Sequence, residues 1–274
     1  MRISVSKLKA FKSCRRMYEL KYVENVVPVQ SAEALEVGKS YHGFLEELNK
    51  NGELPDAAES GFSKARAMAE AYKKYIYPNF HVVAAEEWLE YPLADGDVLV
   101  GIADALSDDG FIVEHKTTGS EITEQYEYNL LWDEQILAYM LMTGRRKVHY
   151  TVCRKPTIRQ KKDESEEEFY KRMVAWYDED TDSKIRLLRI ERSDEDVEEF
   201  HGELLSMCNE IRHTGNFYRN TCHCNMWGRR CEYSSLCLHY DPNMEYVEFK
   251  RREEDGEQGT NSRGTDEQEI GSNW

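Results

Sequence analysis

No run of eighteen apolar residues occurs in this 274-residue chain, so no membrane-spanning helix is expected. The opening stretch, MRISVSKLKAFKSC, lacks the long apolar core of a secretory signal, and a cytoplasmic protein is expected. No internal repeat is visible. Excess positive charge is missing too: 36 Lys and Arg stand against 52 Asp and Glu, a net charge of −16. That balance argues against passive nucleic-acid binding over the whole surface. It leaves room for a local basic path leading to a site.

What the chain has is a 40% hydrophobic fraction, enough to bury a core in one large domain. Its seven cysteines, without a sign of secretion, suit metal ligands or free thiols better than disulfides. The acid is uneven. Residues 163–203 carry 16 acidic and 6 basic side chains, a local balance of −10, and read as solvated helical surface. Just before them, Arg154, Lys155, Arg159, Lys161 and Lys162 form a basic run.

Apolar periodicity predicts helices over 4–22, with Ser4 or Ser6 as N-cap, and over 31–50, 60–77, 121–143, 164–178 and 194–214. Strands are expected at 82–92, 97–105, 111–116 and 147–153. The long helix before 147–153 gives room for a crossover that sets this strand parallel to 111–116. The order suggests an α/β core, a mixed central sheet flanked by helices. Residues 1–245 read as one domain closed by a cysteine-rich segment at 217–240, and 250–274 as a disordered polar tail.

Residues 98–120 carry the chemistry. Val98 to Ala103 is an apolar strand that ends on Asp104, and residues 107–110 (Ser-Asp-Asp-Gly) signal a turn. The next strand runs through Val113 into Glu114-His115-Lys116. Alternation puts Glu114 and Lys116 on one face, and a hairpin can bring Asp104 alongside. Two carboxylates and a lysine at one sheet end suit a divalent cation with an ammonium beside it, the chemistry of phosphodiester hydrolysis. A solvated strand end is the bland alternative for the motif taken alone. Elsewhere, His42 sits at the edge of a helix's apolar face and shares a side with Gly38 and Leu45. Gln135 and Tyr139, four apart, share a helix face and could hydrogen-bond near the same centre. Each of these, in isolation, fits ordinary packing.

In order along the chain, Gly38-x3-His42, Asp104, Glu114-x-Lys116 and Gln135-x3-Tyr139 resemble the PD-(D/E)XK nuclease superfamily. The similarity is greatest to its RecB-like branch, which includes phage exonucleases and CRISPR adaptation exonucleases. The opening Ser6-Lys7-Leu8 to Cys14 pattern and the basic segment from Cys153 fit the same branch. The resemblance implies a restriction-endonuclease-like core. It also implies that His42, Asp104, Glu114 and the His115 carbonyl ligate Mg2+ or Mn2+. Lys116 would orient or help deprotonate water and stabilise developing charge. Gln135 and Tyr139 would brace it, and the basic run would meet DNA.

Cys222, Cys224, Cys231 and Cys237 crowd sixteen residues, a strong signal for a soft metal. By spacing, zinc on these four is open, with His223 and His239 as further candidates. The resemblance implies a different partition: a 4Fe–4S cluster on Cys14, Cys224, Cys231 and Cys237. Such a cluster would staple the N-terminal helix to the C-terminal segment, with Trp227 and Tyr233 packed around it. Cys153 and Cys208 lie in apolar periodic segments and read as core. The expected function is a metal-dependent DNA exonuclease of the kind that resects ends for recombination or repair. An annealing recombinase or a helicase would be its partner. The alternative is a non-catalytic or partner-dependent scaffold with a structural cysteine-bound metal.

Overall fold

A computed structural model describes residues 1–29, 33–55, 63–226, 229–238 and 248–252. The described elements begin with β1 (Arg2–Ile3), α1 (Val5–Ser13), α2 (Arg15–Tyr18) and a π-turn over Glu19–Val23. β2 (Val26–Pro28), α3 (Glu33–Asn51) and α4 (Ser63–Tyr75) follow, then the strands β3 (Val82–Pro92), β4 (Val98–Ser107) and β5 (Phe111–Thr118). A pair of helices, α5 (Glu124–Leu130) and α6 (Glu134–Thr143), leads to β6 (Lys147–Arg154). α7 (Glu166–Glu179), β7 (Ile185–Glu191) and α8 (Asp194–His213) complete the core. The short β8 (Asn225–Met226), β9 (Arg229–Arg230), α9 (Ser234–Cys237) and β10 (Phe249–Arg251) come last.

The main sheet runs β1-β4-β5-β6-β7, with β3 also paired to β4. β3, β4 and β5 form an antiparallel meander, and β5 pairs with β6 in parallel, as the crossover length implied. The sheet is therefore mixed, and helices cover both faces. α3, α4 and α7 pack one cluster around Tyr41, Tyr72 and Tyr177. α1 and α8 pack another around Leu8, Phe11 and Phe200, and α5 and α6 a third around Tyr126, Ile136 and Tyr139. Cys153 and Cys208 are buried core residues.

Four expectations need correction. The helix over 4–22 breaks at Cys14, whose extended backbone (φ −162°) separates α1 from α2; Ser4 is its N-cap, accepting the Lys7 N–H at 3.4 Å. The helix over 121–143 is two helices, because Thr123 and Asp133 each cap one by accepting a backbone N–H. Apolar periodicity runs across both breaks, so the pattern hides them. The acidic stretch 163–203 is not all helical: β7 lies inside it and pairs with β6. Residues 249–251 form β10 against β2, at the start of the stretch expected to be a disordered tail; 253–274 lie outside the described residues.

α6 can approach β4 because position 101 is glycine. A Cβ there would lie 2.9 Å from Cε1 of Tyr139 and 3.2 Å from Cε of Met142. Gly101→Ala is expected to push the Tyr139 ring aside and to destabilise the protein by about 1–3 kcal/mol. Urea denaturation measures this; an unchanged midpoint would show that α6 does not need the close approach.

Candidate active site

β4 and β5 are paired at Ala105–Val113 and Leu106–Ile112. Asp104 and Glu114 are the next residues along the two strands, at the fork where the pairing ends. The fork sets free backbone groups, and side chains take them up. The His115 N–H donates to Asp104 Oδ2 at 2.7 Å, and the Tyr139 hydroxyl donates to the Ile102 carbonyl at 2.5 Å. A strand parting thus becomes a place where a carboxylate is fixed by the neighbouring backbone.

On the α6 side, Lys116 is buried and its ammonium has three acceptors. Glu114 Oε1 and Gln135 Oε1 each lie at 2.8 Å, and Asp133 Oδ2 at 3.1 Å. Gln135 in turn donates to the Tyr139 hydroxyl at 2.9 Å. Burial works against the charged lysine, yet Asp133 and Glu114 outweigh it and hold its pKa well above the ordinary value. Lys116 is therefore a fixed ammonium. That geometry suits charge stabilisation and orientation, and makes it a poor proton acceptor.

On the α3 side, His42 Nδ1 lies 3.1 Å from Asp104 Oδ1. Gly38, one turn earlier, sits against β5: a Cβ there would be 3.6 Å from Thr117 Oγ1. The His115 ring packs edge-on to Tyr72 of α4, and its Nδ1 lies 2.6 Å from Thr151 Oγ1. Burial disfavours the charged form of His42, but Asp104, then Glu114 and Glu86, raise its pKa overall. Burial likewise disfavours the Asp104 carboxylate. His42 and the His115 N–H overcome this and hold Asp104 at about 2.

Glu114 goes the other way. It is 4% exposed, and its Oε2 has no hydrogen-bond partner. Burial pushes its pKa up to about 8, against the pull of Lys116 and with Asp104 adding repulsion. A hard divalent cation between Asp104 and Glu114 would answer that orphaned oxygen and the like-charge repulsion together. The donor set of carboxylates, an imidazole and a peptide carbonyl fits Mg2+ or Mn2+. Among the described residues, no three His, Cys, Asp or Glu side chains stand at metal-holding geometry. Here His42 rests on Asp104 and Glu114 on Lys116.

Three contributors were not read from the sequence. Asp133 caps α6 through Oδ1, which also takes Lys9 at 3.1 Å, while Oδ2 takes Lys116 and, at 3.2 Å, the Tyr150 hydroxyl. An acid just before an apolar helical run is the signal for this cap, and apolar periodicity that continues across 121–143 hides it. Lys9 links this centre to α1. Glu86 stands opposite Asp104, between the pairs Ala85–Ala105 and Glu87–Ala103, with a left-handed backbone (φ 52°).

The basic run starts at the same sheet end: the Lys155 N–H donates to the Thr118 carbonyl at 2.7 Å. Arg154 reaches Glu121 at 3.3 Å. Arg159 and Lys161 lie in the following loop, engaged through backbone groups with Arg172 and Glu164; Lys162 is exposed. All seven cysteines are free thiols. The Asn220 N–H donates to Cys14 Sγ at 3.3 Å, and the Asn220 carbonyl lies 3.7 Å from Cys224 Sγ. The Cys231 N–H donates to the Cys224 carbonyl at 3.0 Å. Burial raises the pKa of Cys231, to about 11, and of Cys237, and nearby Cys14 adds to both. Cys222 is exposed, and Tyr233 is buried, stacked on Phe249. Trp227 and His239 lie outside the described residues.

A sequence model of the PD-(D/E)XK nuclease superfamily matches residues 2–238. The chain belongs to that superfamily. Among solved structures, this PD-(D/E)XK chain is similar to a protein of Eubacterium rectale designated a candidate exonuclease. The TM-score is 0.56 at 15% identity, over 90% of this chain and 91% of that one. It also matches the alkaline exonuclease LHK-Exo of Laribacter hongkongensis, at TM-score 0.37 and 14% identity over 77% and 88% of the two chains. A phage related exonuclease from Haemophilus somnus matches at TM-score 0.39 and 13% identity, over 77% and 92%. No curated protein matches the sequence. The Eubacterium rectale likeness concerns the fold, the mixed sheet between helical layers.

The two acids set opposite pH limits on the metal-free PD-(D/E)XK fold. Asp104 has a depressed pKa, so its stabilisation is present above about 3.8 and is lost as pH falls through about 2. Glu114 has a raised pKa, so its stabilisation is present below about 4.5 and is lost as pH rises through about 8. Glu114→Gln is expected to remove the alkaline loss. Thermal unfolding in EDTA across this range checks it: parallel curves for wild type and variant would show that Glu114 is not the group responsible.

Proposed function

We propose that this chain is a Mg2+- or Mn2+-dependent deoxyribonuclease that acts as an exonuclease of the phage type, resecting the ends of linear DNA for recombination or repair. The observation that carries the reading is the strand fork, where Asp104 and Glu114 meet beside a saturated lysine ammonium. His42, Asp104, Glu114 and the His115 carbonyl would hold the ion. When bound, it supplies Lewis acidity that acidifies water and offsets charge on the scissile phosphate.

The chain's own residues do the rest. Lys116 faces the developing negative charge with a proton that its three acceptors keep in place. Gln135 and Tyr139 hold that ammonium at a fixed point, so little reorganisation is needed when charge appears. Arg154, Lys155, Arg159, Lys161 and Lys162 would give the backbone a local cationic path along one sheet end, despite the acidic surface. An annealing recombinase or a helicase would be the partner in end processing.

The cysteines at 14, 224, 231 and 237 would hold a 4Fe–4S cluster, with zinc as the alternative. What supports this is the bridging of Cys14 and Cys224 by Asn220 across about two hundred residues, together with the soft donor chemistry. Cys231→Ser is expected to bleach anaerobically purified protein and lower its melting temperature. A colourless wild type that retains zinc would replace iron–sulfur by zinc.

End-labelled linear duplex, single strands and closed circles, each with Mn2+, Mg2+ or EDTA, test the activity. Linear DNA should disappear with metal alone, and Asp104→Ala should slow this by about 100-fold or more. Cutting of the circle would make the enzyme an endonuclease. Stable DNA in every lane would sink the catalytic reading in favour of a scaffold.

A further inference from the structure

Two large aromatic side chains stand in solvent next to this centre. Trp132 is 71% exposed, the highest value among the described large apolar residues, and Tyr128 is 53% exposed. Their rings are 6.3 Å apart and inclined at 67°. Amphipathicity accounts for neither. α5 turns Tyr126 and Leu130 toward the core, and leaves Tyr128 on its outer side.

The elbow between α5 and α6 holds this pair in a set position. The Leu131, Trp132 and Asp133 N–H groups donate in succession to the carbonyls of Tyr128, Asn129 and Leu130, at 3.1, 3.1 and 3.2 Å. Trp132 is therefore carried by a hydrogen-bonded turn. The next residue is Asp133, whose carboxylate lies 3.1 Å from the Lys116 ammonium. Adjacent Cα atoms are about 3.8 Å apart, so the backbone of Trp132 lies directly beside a residue of the candidate active site. Lys9 and Lys12 of α1 pair with Asp133 and Glu134 at the start of α6, which puts cationic side chains at the same rim.

We propose that Tyr128 and Trp132 form a stacking platform for an unpaired nucleobase of the strand entering the site. This deepens the nuclease reading and rests on it. Every base has a π-face, so such a platform is tolerant of sequence. It takes a base that is not already stacked in a duplex, and so favours single strands and frayed ends. The apolar patch is two side chains, and on the same helix Gln125 donates to Asn129 at 3.0 Å. That is far below the roughly 20–30 residues per side of a stable protein interface, and of a size for one base.

The test uses the full chain carrying Glu114→Gln, so that DNA survives, with and without Trp132→Ala or Trp132→Phe. The probes are oligonucleotides with 2-aminopurine at one end, as single strands and as blunt duplexes, with Mg2+ present. Trp132→Ala is expected to weaken single-strand binding about tenfold, within the range for losing one base–aromatic stack, and to relieve the quenching of the probe. Trp132→Phe should retain most of both, and blunt duplex binding should change less. Thermal melts should be unchanged, since the side chain is exposed. Equal single-strand affinity and equal quenching with and without Trp132 would overturn the platform. So would failure of every variant to bind DNA. Cleavage by otherwise wild-type protein, measured in parallel, separates the two failures: cleavage with no effect of Trp132 removes the platform alone, and no cleavage removes the nuclease reading.

Discussion

A buried ammonium fixes much of this structure. Lys116 sits inside the fold, and an unpaired charge there would cost several kcal/mol. Its three N–H bonds must each find an acceptor, and the three come from different elements: Glu114 from β5, Gln135 from α6 and Asp133 from the elbow before it. The need sets where α6 begins and how it lies on β4. The close approach at Gly101 follows. Asp133 has a second cation, Lys9, so α1 is drawn to the same point. The far end of α1 is Cys14, which takes the Asn220 N–H from the C-terminal segment. A chain of polar contacts and one helix therefore joins the candidate catalytic centre to the cysteine region.

The parts legible in the sequence were those whose chemistry and periodicity agreed. Asp104, Glu114 and Lys116 follow apolar strand residues, and Gln135 and Tyr139 share a helix face; the structure places Asp104 within β4, Glu114 and Lys116 within β5, and brings all five to one place. What stayed hidden was hidden for physical reasons. Asp133 acts through a helix break, and hydrophobic periodicity across 126, 130, 136 and 140 gives no sign of one. β7 reads Ile-Arg-Leu-Leu-Arg-Ile-Glu, an edge strand with half-buried residues, inside a stretch dominated by acids. The fork between β4 and β5 cannot be seen in either strand alone, because it is a property of their pairing. Glu86 gave no signal, since glutamate is not among the residue types, Gly, Asn, Asp and His, that mark a left-handed position.

The acidic surplus is less of an obstacle to a polyanionic substrate than its sum suggests. Much of it is local helix chemistry. Glu168 and Asp196 complete capping boxes with Ser165 and Ser193, and Glu166, Glu167, Asp194 and Glu195 lie in first turns, where the helix dipole favours negative charge. Exposed acids farther than a Debye length of about 10 Å are largely screened. A cationic path needs only to be closer to the backbone than they are, and the run from Arg154 leaves the sheet at the end where β5 carries the site.

The candidate site gathers several unfavourable features. Three carboxylates, Asp104, Glu114 and Glu86, all act on His42. Glu114 keeps an oxygen with no partner, and Glu86 holds a left-handed backbone of the kind that costs about 1–3 kcal/mol. By contrast, Lys116 and Asp133 a few ångströms away are fully matched. Acids gathered at one fork, one of them with an unpartnered oxygen and with the lysine beside them satisfied, would suit a positive charge. The same carboxylates that repel one another in the bare fold would attract a divalent cation, which is why their cost is consistent with catalysis rather than with stability.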